Sequence, residues 1–201
     1  MQITATCHIR KRTIFLNHEV VYHCDGGDLD HFLDSAYDHF RISYPRFYKM
    51  DRLSKSGFLA AEVLLAHRSV STYQPDLINI VLSNASSSLD TDVKYLASTR
   101  NIPSLLLFVY TLPSIVAGEI CIRNRIKGEN AFFISPQFDG ELMEGYVASI
   151  MASQPEGEAK ACLAGWVEVF QEQHDVFLYL VENSNSGIEH SAGQLMQLYN
   201  H

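Results

Sequence analysis

The stretch GENAFFISPQFDG, residues 128–140, has the pattern by which α/β proteins present a reactive side chain. An apolar segment from Ala131 to Ile134 meets a sharp turn at Ser135 and Pro136, and a predicted helix follows. In such an elbow the tight turn lifts one side chain above the sheet, where a nucleophile can attack a substrate. The residue at the tip here is Gln137, and its amide is a poor nucleophile. The sequence therefore predicts an elbow without covalent chemistry.

Three other residues carry groups that could serve as nucleophiles. Ser135 lacks a surrounding Gly-x-Ser-x-Gly, and a hydroxyl before proline usually makes a turn or capping contact. Cys121 and Cys162 lie in apolar stretches, which favours small buried side chains over reactive thiols. We therefore predict no catalytic residue among them.

Four residues of metal-binding type, His18, His23, Cys24 and His31, lie close together in the sequence. Their spacings differ from the familiar paired-ligand patterns of zinc sites. We interpret them as scattered surface and core residues, and we expect no metal and no other cofactor.

Composition and charge limit the function classes. The chain has 201 residues, of which 47% are hydrophobic and 19% charged, a globular composition. The net charge of −8 gives no basic footprint for nucleic acid or an anionic membrane. No apolar run approaches the length of a bilayer crossing, and the N-terminal residues do not resemble a signal peptide. The four cysteines are scattered, which favours reduced thiols and a cytoplasmic location.

Helix and strand patterns alternate along the chain. Predicted strands cover residues 2–9, 76–83, 131–135, 159–170 and 175–183, and the last two form an antiparallel pair around the turn QEQH. Predicted helices lie within residues 28–40, 51–67, 84–99, 102–128, 140–152 and 187–201. Asp28 is the N-cap of the first helix, and the fifth helix has Leu142, Tyr146, Val147 and Ile150 inward.

The helical region 102–128 is predicted to break before Pro113 and to stop at Gly128. We interpret FLAAEVLL and SLLLFVY as core faces rather than acyl pockets. Together the elements predict one α/β layered domain over residues 1–201, with helices on both faces of a mixed sheet.

Four segments resemble, in order, the N-terminal half of β-ketoacyl-acyl-carrier-protein synthases. They are MDRLSKSGFLAAEVLL, LINIVLSNASSSLDTDVKYL, PSLLLFVYTLPSIVAGEICIRNRIKGEN and ACLAGWVEVF. The stretch containing Pro113 and Gly118 resembles the family's Leu-Pro-Asn…Ala-Gly segment. Gly165 and Glu168 match its Ala-Gly-Gly-x-Glu strand, with Trp166 at the second glycine. The resemblance implies half of a three-layer α/β/α thiolase-like fold.

The resemblance also implies what the elbow lacks. The family's catalytic cysteine comes seven residues after the Asn of Gly-Pro-Asn, and counting from Asn130 reaches Gln137. Glu129 replaces the usual proline. The family takes two further catalytic histidines from its C-terminal half, and His174 and His190 match neither motif. The chain is therefore expected not to condense acyl groups.

In the family, glutamine at this position occurs in the chain-length-factor subunit, an inactive partner of a ketosynthase, and in decarboxylating loading ketosynthases. The absent histidines favour the first. We expect a non-catalytic partner in fatty-acid or polyketide biosynthesis that helps to shape an acyl tunnel. The alternatives are half of a split decarboxylase or acyltransferase, and a stand-alone module that binds acyl chains or an acyl carrier protein.

The family also pairs the strand before the nucleophile across its dimer axis. The corresponding residues here are Ala131, Phe132, Phe133 and Ile134. We predict that this strand is buried and that the chain forms a homodimer, or a heterodimer with a ketosynthase. An acyl carrier protein is a further candidate partner.

Overall fold

A computed structural model describes residues 1–153, 158 and 160–201. The strands are β1 (Gln2–Arg10), β2 (Thr13–Leu16), β3 (Glu19–His23), β4 (Ile78–Asn84), β5 (Asn130–Ile134), β6 (Ala161–Phe170), β7 (Gln173–Glu182) and β8 (Ile188–Glu189). The helices are α1 (Leu29–His39), α2 (Arg52–His67), α3 (Leu89–Ser98), α4 (Leu105–Val109), α5 (Ile115–Asn124), α6 (Gly140–Ser153) and α7 (Ala192–Asn200).

The strands form one mixed sheet in the order β3-β2-β1-β7-β6-β4-β5, and β8 pairs with β1. Strand β4 runs parallel to β5 and β6, whereas β7 runs antiparallel to β6 and β1. All seven residues of β4 are buried, which explains its nearly continuous apolar sequence. Strands β3 and β5 are the two edges of the sheet.

Helices cover both faces of the sheet. On one face α1, α2 and α5 pack in a core with Phe32, Phe58 and Ile120. On the other, α6 and α7 pack in a core with Val147 and Leu195. The three-layer α/β/α arrangement with a mixed sheet is confirmed.

Local sequence signals set the starts of two helices. The Asp28 carboxylate accepts the His31 N–H at 2.9 Å, as predicted, and Asp51 accepts the Ser54 N–H at 2.9 Å. An N-cap of this type contributes about 1 kcal/mol. The break before Pro113 is also present, since α4 and α5 lie on either side of it.

The predicted helix stop at Gly128 is wrong. Helix α5 ends at Asn124, and Arg125 is its C-cap in a left-handed conformation with φ 57°. Gly128 instead lies against β4, where its N–H donates to the Ile78 carbonyl oxygen at 3.0 Å. A Cβ there would come within 2.5 Å of that oxygen, so close packing requires the glycine.

Other differences concern strand and helix details. The sequence does not predict the hairpin of β2 and β3, because the turn between these two strands lacks the Asn-Gly or Asp-Gly signal. The turn between β6 and β7 has only two residues, since β7 begins at Gln173. Ala159, assigned to the β6 strand by the sequence, lies outside the described residues. In α6, Leu142 and Tyr146 are only half-buried, whereas Met143 is buried.

No helix in the described part of the chain is long and apolar enough to cross a membrane.

Candidate functional site

The predicted elbow joins β5 to α6. Ser135 Oγ donates to the Gln137 carbonyl oxygen at 2.7 Å and closes the turn. The Asp139 carboxylate accepts the N–H groups of Glu141 and Leu142, both at 3.0 Å, at the start of α6. The Ser135 hydroxyl therefore has the turn role that the sequence predicted for it, bonded to a backbone carbonyl rather than to a base.

The elbow is anchored by the residue after its tip. Phe138 is buried, and its ring lies 4.7 Å from the Tyr199 ring and 5.4 Å from the Phe177 ring, measured between centroids. Gln137 is exposed at the mouth of an open pocket of about 370 Å³. The pocket is lined by the elbow and by the first turns of α7, through Ala192, Gly193 and Met196. Gln137 is thus presented to solvent, with an amide where an elbow would carry a nucleophile.

Most of the native thiols lie in surroundings that suppress reactivity. Burial raises the pKa of the Cys7 and Cys162 thiols well above the usual range. Partial burial raises the pKa of Cys121 to about 11. The Cys24 thiol, half-buried, donates to the Gly26 carbonyl oxygen at 3.4 Å. Since the thiolate is the nucleophile, these raised pKa values disfavour reaction at Cys7, Cys121 and Cys162 near neutral pH.

Strand β5 is not the buried strand that the sequence predicted. Among the described residues it pairs with β4 only, because it is the last strand in the order of the sheet. Phe133 packs against Tyr146 with ring centroids 4.9 Å apart, and Phe132 contacts the core of the opposite face. Ile134, however, is 55% exposed. An unpaired, apolar edge is a template for pairing with another chain.

A second exposed surface includes a segment that the sequence predicts to be part of the core. The segment SLLLFVY forms α4, and none of its helical residues is buried. With α3 it makes a patch, here called the α3–α4 patch, composed of Leu89, Val93, Leu96, Ile102, Leu105, Leu106, Phe108, Val109 and Leu112. Leu105 is 81% and Leu96 is 69% exposed. Exposed apolar side chains in such numbers on two neighbouring helices are typical of an interaction surface. By contrast, FLAAEVLL lies in α2 and is core, as predicted.

The four residues of the motif segments have different surroundings. The Glu168 carboxylate accepts the N–H groups of Ala85 at 2.7 Å and Ser86 at 3.0 Å, which ties β6 to the turn after β4. Gly165 lies in β6 against the backbone of β7, and Pro113 separates α4 from α5. A Cβ on Gly118 would meet open space. Glu168 and Gly165 therefore carry structural constraints that Gly118 does not.

We expect Glu168→Ala to lower the free energy of unfolding by about 1–3 kcal/mol, because it leaves two backbone N–H groups without their acceptor. Glu168→Gln keeps a side-chain oxygen and should recover most of this loss. Urea unfolding followed by circular dichroism measures both. Equal stability of the alanine variant and the wild type would contradict the assigned role.

The histidines and cysteine considered as metal ligands are dispersed. The His18 ring lies 4.9 Å from the His201 ring between centroids, whereas His23 Nε2 lies 2.8 Å from the Asp25 carboxylate. His31 is exposed and is the third residue after Asp28, the N-cap of α1. Within residues 1–153, 158 and 160–201, no three His, Cys, Asp or Glu side chains are grouped to hold a metal ion.

Comparisons place the fold among known structures. No protein-family model and no curated protein matches the sequence. A chain of the ishigamide ketosynthase/chain length factor superposes with a TM-score of 0.65 and 17% identity, covering 92% of this chain and 63% of that chain. A chain of the complex of AntDE with AntF, a type II acyl-carrier protein with its ketosynthase bound to the hexaketide, gives 0.58 and 15%, covering 90% and 62%.

A third match differs in extent. In the complex of the ketosynthase ApeO with its chain length factor ApeC from Xenorhabdus doucetiae, the TM-score is 0.59 with 12% identity. It covers 100% of this chain and 91% of the matched one. This chain thus spans less than two thirds of the matched chains of the ishigamide and AntDE structures, but nearly all of the matched chain in the ApeO–ApeC complex. The chain has the fold of ketosynthase and chain-length-factor proteins.

Proposed function

We propose that the protein is a non-catalytic partner of a ketosynthase, similar in role to a chain length factor, in the biosynthesis of a polyketide or a related acyl chain. The single observation that carries the proposal is the elbow: strand, turn and helix are intact, and the residue presented to solvent is Gln137. A thioester needs a polarisable thiolate at such a position, and an amide cannot supply one.

The edge strand supports a partner role. Beside the elbow, β5 offers unpaired backbone groups together with the exposed side chain of Ile134. A partner strand laid against β5 would extend the sheet and cover this edge. A homodimer forms in this way when the chain is alone, and a heterodimer when a ketosynthase is present.

The α3–α4 patch supports the same role. Its side chains are exposed in the single chain, and burying Leu96, Leu105 and Phe108 against a partner is favourable at about 25 cal/mol per Å². The matched complexes are those of a ketosynthase with its chain length factor and of a ketosynthase with its carrier protein. We infer that the ketosynthase is the primary partner, and an acyl carrier protein a secondary one.

Absence of acyl transfer is the catalytic test of the proposal. We expect no acyl adduct on the wild-type protein after incubation with acyl-coenzyme A or acyl-carrier protein, because Gln137 is not a nucleophile and three of the thiols have raised pKa values. Intact-protein mass spectrometry measures the adduct.

The matched variant is Gln137→Cys, which places a thiol at the exposed tip. It should be alkylated readily by iodoacetamide but acylated slowly, since no histidine is among the described residues that line the elbow pocket. A stable acyl group on the wild-type chain, alone or with its partner, would contradict the non-catalytic assignment and favour the split-enzyme alternative.

A further inference from the structure

A pocket of about 350 Å³ lies over the hairpin of β1 and β2, apart from the elbow pocket. The side chains that line it are two cations, three imidazoles, one hydroxyl and one phenyl ring. They belong to His8, Arg10, Lys11, Thr13, Phe15, His18 and His201. No Asp or Glu side chain is among these lining residues, although the chain carries a net charge of −8. The volume is at the lower end of that of small-molecule sites and exceeds the space of a few waters.

Two of the lining residues are held in an unusual backbone conformation. Lys11 has φ 48° and His18 has φ 70°, and each belongs to a two-residue turn in which both residues are left-handed. Glycine and asparagine are the usual residues in such turns, since a longer L side chain is strained there. Backbone strain of this kind clusters at ligand sites. Here the two turns place the Lys11 ammonium before β2 and the His18 imidazole after it, and both side chains line the same pocket.

A buried imidazole forms another part of the wall. His8 is only 4% exposed, and its ring packs against the Phe177 ring with centroids 4.5 Å apart. Its Nε2 is buried with no hydrogen-bond partner in the described part of the chain. Burial, together with the neighbouring charges, lowers the pKa of His8 to about 3, so the ring is neutral and has one N–H to donate. Within the described residues Nε2 therefore lacks a hydrogen-bonding partner, which a bound anion supplies when this nitrogen carries the proton.

Arg10 is fixed in position beneath the pocket. Its Nε donates to the Asp175 carboxylate at 2.6 Å, and its guanidinium lies 4.5 Å from the centre of the Tyr199 ring. Asp175 offsets part of this charge, whereas Lys11 is exposed at the rim. Arg10 and Lys11 thus give the pocket a cationic rim. Phe15 and the imidazole rings form its aromatic wall.

We propose that this pocket binds a small organic anion, whose carboxylate or phosphate meets Lys11, Arg10 and the imidazoles and whose planar body lies on Phe15. A carboxylate and a phosphate both accept hydrogen bonds from charged and from neutral N–H groups. This binding site does not depend on the association of the chain with a ketosynthase.

Isothermal titration calorimetry of the whole chain at fixed pH and ionic strength tests the proposal with phenyl phosphate, benzoate, inorganic phosphate and the neutral benzyl alcohol. We expect saturable binding of at least one aromatic anion, at least tenfold tighter than that of benzyl alcohol or inorganic phosphate. The tighter of phenyl phosphate and benzoate identifies the anionic group.

The variant Lys11→Asn with His18→Asn replaces the Lys11 cation and the His18 imidazole by shorter neutral amides, and asparagine tolerates the left-handed turns. It should weaken binding at least tenfold, whereas Lys49→Gln, which removes an exposed cation elsewhere, should leave it unchanged. The side-chain NMR signal of His8 should shift on binding in the wild type. Failure of both anions to saturate below about 10 mM, equal weakening by Lys49→Gln, or equally tight benzyl alcohol would each overturn the proposal.

Discussion

Replacing Gly165 by alanine is expected to prevent stable folding. Gly165 has φ +152°, and an added Cβ would lie 1.9 Å from the Phe177 carbonyl oxygen and 2.9 Å from the Leu178 Cα. Both atoms belong to the backbone of β7, which is held on its other side by β1, so neither can move away cheaply. The expected loss exceeds about 4 kcal/mol, a large fraction of the stability of a typical domain.

The matched control is Gly118→Ala. Gly118 is the glycine of the other motif segment, and a Cβ there meets nothing within 4 Å. It lies inside α5, where alanine is favoured over glycine by about 1 kcal/mol. Soluble yield and thermal unfolding should therefore fall for Gly165→Ala and stay equal or rise for Gly118→Ala. A folded Gly165→Ala protein with wild-type stability would contradict the close approach of Gly165 to the backbone of β7.

Ile134→Asp is expected to abolish association with the partner while leaving the chain folded. Ile134 is 55% exposed at the end of β5, so the isolated chain loses little when it changes. In a paired sheet the aspartate would be an unpaired charge at a dry interface. We expect at least a hundredfold weaker binding, which is about 2.8 kcal/mol. Phe133→Asp is less informative, because Phe133 also packs on Tyr146 within the chain.

Val20→Asp is the matched control for this experiment. Val20 is 59% exposed on β3, the opposite edge of the same sheet, so the two variants make the same type of change at comparable exposure. Light scattering of the chain alone, and native mass spectrometry after co-expression with a ketosynthase encoded beside it, measure the assembly. A monomeric wild type in both settings, or equal effects of Ile134→Asp and Val20→Asp, would refute the assignment of β5 as the docking strand.

The sequence by itself determined the elements with strong local signals. The caps and apolar periodicity of α1 and α2, the continuous apolar run of β4 and the proline between α4 and α5 depend on contacts within a few residues, so they can be predicted without tertiary information. The order of the motif segments gave the thiolase-like fold, and the count from Asn130 gave Gln137 as the residue at the tip of the elbow.

Only the tertiary structure decided which apolar segments are covered. The segments AFFIS and SLLLFVY have the composition of core, yet β5 is an edge strand and α4 is exposed, because burial depends on which element lies opposite and not on the segment itself. The hairpin of β2 and β3 likewise depends on pairing with β1, which holds Lys11 and His18 in turns that their own preferences disfavour. The pocket over the hairpin of β1 and β2 also depends on strand pairing, which brings side chains from residues 8–18 together, and on the packing of α7, after which His201 completes the lining.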